Sequence, residues 1–128
     1  MKMGKKLKKN RPRFLTLWQI KLPVMGVVSI LHRISGLFVF LVMPLLLYLL
    51  ELSLRSPAGY QQVTALMTSW PFRVGGWLLL ALFAHHLFAG IRVLLIDMEW
   101  GSALASARRS AWLVMVAVVV VLVAGTLL

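Results

Sequence analysis

The residues best suited to chemistry in this chain are a few polar side chains set inside long apolar stretches. Ser29, His32, Arg33 and Gly36 follow the spacing i, i+3, i+4, i+7, so on a helix they share one face. His86 lies in a second apolar stretch. Ionisable groups are costly inside a membrane, so each one in an apolar span is a candidate functional residue.

The two histidines are predicted to lie at similar depth. His32 is nine residues after Pro23, which corresponds to about 13 Å at a helical rise of about 1.5 Å per residue. His86 is eleven residues before Asp97, or about 16 Å, on a helix that runs in the opposite direction. Two antiparallel helices would therefore present histidine and arginine side chains in one layer.

This combination suits a haem. A neutral imidazole is a good axial ligand for haem iron, and His32 and Arg33 could hydrogen-bond the propionates. Gly90, one turn after His86, leaves room beside the candidate ligand. His85 and His86 point about 100° apart on a helix, so they cannot both ligate one iron. A second ligand would come from His32 or from another chain.

Simpler interpretations of the same residues also exist. His85 and His86 could hydrogen-bond to neighbouring helices, Arg33 could extend to the membrane interface, and Ser29 could bond to its own helix. Each residue alone is weak support for a site. Their placement at one depth favours a functional site.

Composition identifies the class of protein. Of the 128 residues, 61% are hydrophobic and 13% are charged, against about a quarter charged in soluble domains. Cysteine is absent, which excludes disulfides and thiolate metal sites, and the presence of only three acidic residues argues against a catalytic carboxylate pair. The net charge of +11 does not indicate a nucleic-acid binder, because half of the basic residues lie in the first thirteen positions.

The apolar stretches predict an all-α membrane protein with three transmembrane helices, at about residues 24–50, 71–96 and 111–128. Ser110 is predicted to cap the third helix, and residues 51–73 to form a loop. Residues 1–22 form a basic N-terminal segment suited to contact with anionic lipid or with a partner, and residues 23–128 form the anchor. The positive-inside rule places the N-terminus in the cytoplasm and the C-terminus outside.

Two sequence blocks carry a family resemblance. They are Ser-Ile-Leu-His-Arg-Ile-Ser-Gly at residues 29–36 and His-x-x-x-Gly-Ile-Arg at residues 86–92, with Arg11-Pro12 before them and Asp97 after them. In this order and spacing they resemble the cytochrome b subunit of succinate dehydrogenase, the larger membrane anchor of succinate:quinone oxidoreductase (complex II). The resemblance extends from about Arg11 into the third helix.

The resemblance implies a multi-pass subunit of a bacterial inner membrane that has no catalytic residue of its own and is not a complete enzyme alone. Its partners would be a smaller membrane anchor, an iron–sulfur subunit and a flavoprotein subunit. The complex would pass electrons from succinate to ubiquinone.

Site residues are carried over by position. His86 corresponds to an axial ligand of a b-type haem shared with the smaller anchor, which would supply the second histidine. Ser29 and Arg33 correspond to positions that line the ubiquinone pocket, and His32 and Arg33 to positions near the haem propionates. Many relatives have histidine after the Gly-x-Arg motif, where this chain has Val93, so any role of that histidine is absent or moved. Two alternatives remain: the anchor of a fumarate reductase or other b-type redox complex, and a non-redox three-helix accessory subunit.

Overall fold

Four helices account for most of the structure, a computed structural model that describes residues 22–127. They are α1 (Val24–Arg55), α2 (Pro57–Thr68), α3 (Trp70–Asp97) and α4 (Leu104–Thr126). Residues 22–127 contain no β-strand, so the predicted all-α fold is confirmed. The predicted basic N-terminal segment and Arg11-Pro12 lie outside the described residues, apart from Leu22.

Three of these helices are long and apolar enough to cross a membrane, namely α1, α3 and α4. At about 1.5 Å per residue, the 32 residues of α1 span about 48 Å, which exceeds a hydrocarbon core of about 30 Å. The helix continues through Pro44, as transmembrane helices often do because neighbouring groups satisfy the freed carbonyl. The three pairs among α1, α3 and α4 are all in contact, so the spans form a bundle.

The stretch predicted as a loop contains a helix instead. Ser56 caps α2 by accepting a hydrogen bond from the Gly59 amide at 3.0 Å, and Pro57 occupies the first helical turn. Gly59 is buried against α1, where a Cβ atom would collide with the Leu52 carbonyl. These local signals produce a short helix that packs on α1 and α3.

The fourth helix begins earlier than predicted. It starts at Leu104, so Ser110 is not its N-cap. Glu99 and Gly101 have φ angles of 64° and 73°, which complete the reversal after α3 within a few residues. Good helix formers follow at once, and Ser110 lies inside the helix with its hydroxyl bonded to Ala107 O at 3.1 Å.

The buried core of the bundle is built from small residues. Val28, Ala89, Ala111 and Val114 form its centre. Small side chains allow transmembrane helices to approach closely and gain van der Waals contact. Large apolar side chains face outward, including Phe40 at 74% exposure. This pattern is typical of a surface covered by lipid or by other subunits.

Candidate functional site

The polar face of α1 separates into two neighbouring rows. His32 and Gly36 lie against α3, where both meet side chains of that helix. Ser29 and Arg33 are exposed beside them. Within the described part of the chain, the first row therefore belongs to the helix interface, and the second row is open to a ligand or partner.

The histidines predicted at similar depth are in direct contact. The rings of His32 and His86 are stacked, with centroids 4.6 Å apart and an interplanar angle of 19°. His32 belongs to α1 and His86 to α3, so the stack joins two spans that are far apart in sequence. Ring stacking limits rotation of the His86 imidazole because tilting it toward His32 would bring the two rings into collision.

A backbone hydrogen bond also determines the tautomer of His86. Its Nδ1 lies 3.2 Å from the His32 carbonyl oxygen. A carbonyl oxygen can only accept, so Nδ1 carries the proton in this bond and Nε2 of the neutral ring keeps its lone pair. The buried Ser35 hydroxyl donates to the same carbonyl at 3.0 Å. His86 is therefore oriented with Nε2 as the nitrogen able to bind a metal.

Two glycines make room for these rings. A Cβ atom on Gly36 would lie 2.8 Å from His86 Cε1 and 3.1 Å from its Nδ1. A Cβ atom on Gly90 would lie 3.3 Å from His32 Nε2. Each imidazole thus lies over a glycine of the opposite helix.

His85 has different surroundings. Its side chain is 7% exposed, and neither ring nitrogen has a hydrogen-bond partner among residues 22–127. It lies in the interior of the bundle, while His86 faces α1. The two adjacent histidines therefore point in different directions, as the 100° helical step requires.

Sequence reasoning missed a polar link between α3 and α4. Arg92 Nε donates to Ser110 Oγ at 3.0 Å, and Arg92 Nη2 donates to Ala107 O at 3.0 Å. Asp97, the nearest acid along α3, is exposed at the end of the helix. One signal was present in the sequence: an arginine in an apolar span with no acidic residue one turn away, which must find its partners on another helix.

His86 is a single oriented imidazole and does not belong to a cluster of several side-chain ligands within residues 22–127. In the described ranges, no three His, Asp or Glu side chains converge as metal ligands. A single oriented imidazole nitrogen suits a metal already held by a macrocycle. An apolar cavity of about 670 Å³, lined in part by Leu49, Phe72 and Trp77, contains no histidine. The candidate site is therefore the interface of α1 and α3 around His32 and His86.

Comparison with known proteins gives the family. Residues 7–126 match the family described as succinate dehydrogenase/fumarate reductase transmembrane subunit. The chain belongs to this family. It is also 37% identical over 109 residues to the succinate dehydrogenase cytochrome b556 subunit of Coxiella burnetii, and the match covers 84% of this chain and 86% of that relative. The resemblance carried by residues 29–36 and 86–92 is therefore confirmed.

Membership in the succinate dehydrogenase/fumarate reductase transmembrane subunit family agrees with the bundle of three apolar spans. The chain is a multi-pass membrane protein. It associates with the other subunits of its complex and is not an enzyme alone.

Proposed function

We propose that this chain binds a b-type haem through His86 Nε2 and contributes to a ubiquinone-reduction site of succinate dehydrogenase. The observation that carries the proposal is the hydrogen bond from His86 Nδ1 to the His32 carbonyl. Such a bond leaves Nε2 as the ligand nitrogen, orients the ring and raises its basicity. When bound, a b-type haem accepts and releases one electron.

The donor set fits an axial position with one ligand from this chain. A histidine of the smaller membrane anchor would supply the second iron ligand, and the haem would be shared between the two anchors. His32 and Arg33 would hold the haem propionates, because an imidazole and a guanidinium can donate hydrogen bonds to carboxylate oxygens. The name of the Coxiella relative, a cytochrome b556 subunit, supports haem binding in this family.

Ser29 and Arg33 form the quinone-binding row. They are one helical turn apart, about 6 Å along the axis, and both are exposed. A hydroxyl and a guanidinium at this spacing can donate to a quinone oxygen. Negative charge grows on that oxygen during reduction, and donors already in place in a low-dielectric site stabilise it. Ubiquinone takes up two electrons from succinate oxidation and two protons.

The charge distribution supports a location and an orientation. We place the chain in a bacterial inner membrane with the N-terminus in the cytoplasm and the C-terminus outside. The seven basic residues before position 14 give this part of the sequence a positive charge that would be attracted to anionic lipid. The iron–sulfur and flavoprotein subunits would then bind on the cytoplasmic side, where Ser29 and Arg33 lie.

Haem binding is tested by a reduced-minus-oxidised visible spectrum of the whole complex, with His86→Ala and the neighbouring His85→Ala as matched variants. We expect a b-type signal in the parent and in His85→Ala, and its loss or shift in His86→Ala. A parent complex without haem would refute the proposal. An unchanged spectrum in His86→Ala would refute the axial assignment.

The quinone row is tested with Ser29→Ala and Arg33→Ala, and with the exposed Arg108→Ala as a control for loss of positive charge. In Ser29→Ala and Arg33→Ala we expect ubiquinone reduction to fall about tenfold or more, with succinate oxidation by an artificial acceptor unchanged. Equal loss of both activities would assign these residues to assembly.

The family description also includes fumarate reductase, which runs the reaction in reverse. Rates of succinate oxidation and fumarate reduction by the same purified complex would decide the direction.

A further inference from the structure

The two helices that meet in the α1–α3 interface share a sequence pattern. His32 is followed by Gly36 in α1, and His86 is followed by Gly90 in α3, so each helix carries His-x-x-x-Gly. A spacing of four places the glycine one turn beyond its histidine on the same face. Each helix therefore presents an imidazole ring and, one turn beyond it, a space where glycine has no side chain, here called the glycine notch.

The contacts between the His-x-x-x-Gly stretches of α1 and α3 are reciprocal. The His86 ring lies over Gly36, and the His32 ring lies over Gly90, while the two rings stack on each other at 4.6 Å. Because α1 and α3 are antiparallel, the histidine of one helix meets the glycine of the other at one depth. The four residues interlock, because each ring is close both to the glycine of the opposite helix and to the other ring.

The two glycine notches differ in how much space they leave between the glycine and the ring of the opposite helix. At Gly36 an added Cβ would be 2.8 Å from His86 Cε1, a distance that real Cβ atoms essentially never show, so the ring would have to move. At Gly90 the corresponding distance to His32 Nε2 is 3.3 Å, and a displacement of a few tenths of an ångström would relieve it. Gly75 and Gly76, also in α3, have no described atom within 4 Å of such a Cβ.

We propose that Gly36 and Gly90 are positioning residues for the haem ligand: their interlock with His32 and His86 sets the ring plane of His86. The proposal rests on the proposed haem role of His86. Hydrogen bonding at Nδ1 fixes which nitrogen faces the metal, whereas the glycine notch and the stacked ring fix how the imidazole plane is turned about the bond to iron.

The test compares Gly36→Ala, Gly90→Ala and the control Gly76→Ala in the assembled complex. The readouts are haem per complex and the electron paramagnetic resonance spectrum of the ferric haem, whose largest g value follows the relative orientation of the two axial imidazole planes. We expect a clear shift or loss of haem in Gly36→Ala, a smaller shift in Gly90→Ala, and the parent spectrum in Gly76→Ala.

Parent-like spectra and haem content in both Gly36→Ala and Gly90→Ala would overturn the proposal, and so would an equal shift in Gly76→Ala. If Gly36→Ala does not assemble, Gly90→Ala decides: a shifted g value supports the interlock, and the parent value refutes it. A parent complex without haem would refute the proposed function itself, so the two failures are distinguishable.

Discussion

Replacing Arg92 with methionine removes the side chain that joins α3 to the first turns of α4. Its Nε and Nη2 atoms each donate one hydrogen bond of 3.0 Å, to Ser110 Oγ and to Ala107 O. Methionine keeps a flexible apolar stem that fills irregular gaps. The substitution therefore removes two interhelical hydrogen bonds with little loss of packing.

The expected cost follows from the number of bonds and from what remains after the change. Polar contacts between transmembrane helices contribute about 0.6 kcal/mol on average and up to about 1.7 kcal/mol. Ser110 Oγ still donates to Ala107 O at 3.1 Å, so that hydroxyl keeps a partner. We expect Arg92→Met to lower the free energy of unfolding by about 1 to 2 kcal/mol.

The assay is equilibrium unfolding of the chain in lipid bicelles, arranged as a double-mutant cycle with Ser110→Ala. The pairwise coupling between Arg92 and Ser110 should be about 0.6 to 1.7 kcal/mol. Arg108→Met is the control, because Arg108 is an exposed arginine of α4. Its effect should stay within about 0.5 kcal/mol.

Zero coupling in the cycle would refute the link between Arg92 and Ser110. A loss in Arg108→Met equal to that in Arg92→Met would also refute it, because the effect would then be one of general positive charge at this end of the bundle.

Three further predictions concern two glycines and the topology. Gly59→Ala should destabilise the fold by about 1 to 3 kcal/mol, because the new methyl group meets the Leu52 carbonyl; an unfolding free energy equal to the parent's would contradict this. Gly125→Ala should shift tryptophan emission, since its Cβ would lie 2.9 Å from Trp77 Cη2, and a shift that persists in a Trp77→Phe background would refute the cause. Alkaline phosphatase fused after Leu128 should be active and fused after residue 102 inactive, and the reverse pattern would invert the proposed topology.

Much of the fold was predictable because membrane-spanning helices are determined locally. Apolar runs of about 20 residues must form helices in hydrocarbon, so the three spans could be placed from the positions of charged residues. The ends of helices were predicted less well. Residues 51–73 contain α2, which depends on the cap at Ser56 and on close packing at Gly59. Serine is a common cap residue, but Ser110 lies inside α4, where its hydroxyl donates to Ala107 O and accepts from Arg92 of α3.

The candidate site, like the fold, could be predicted from the sequence only in part. The layer containing His32 and His86 could be predicted, because helical rise converts sequence distance into depth. The sequence could not show that these rings stack, since the stack depends on how α1 and α3 are rotated toward each other. That rotation also turns His32 toward α3 and leaves Arg33 exposed.

The sequence by itself determined the class of protein, the three spans and the family, and it supplied the residues that we propose carry its chemistry. Composition and residue spacing are properties of one helix at a time, and they do not depend on how neighbouring helices pack. Only the tertiary structure decided which nitrogen of His86 is free, which glycine faces which ring, and where Arg92 finds its partners. Each of these depends on contacts between helices, and the chain determines them through the packing of the whole bundle.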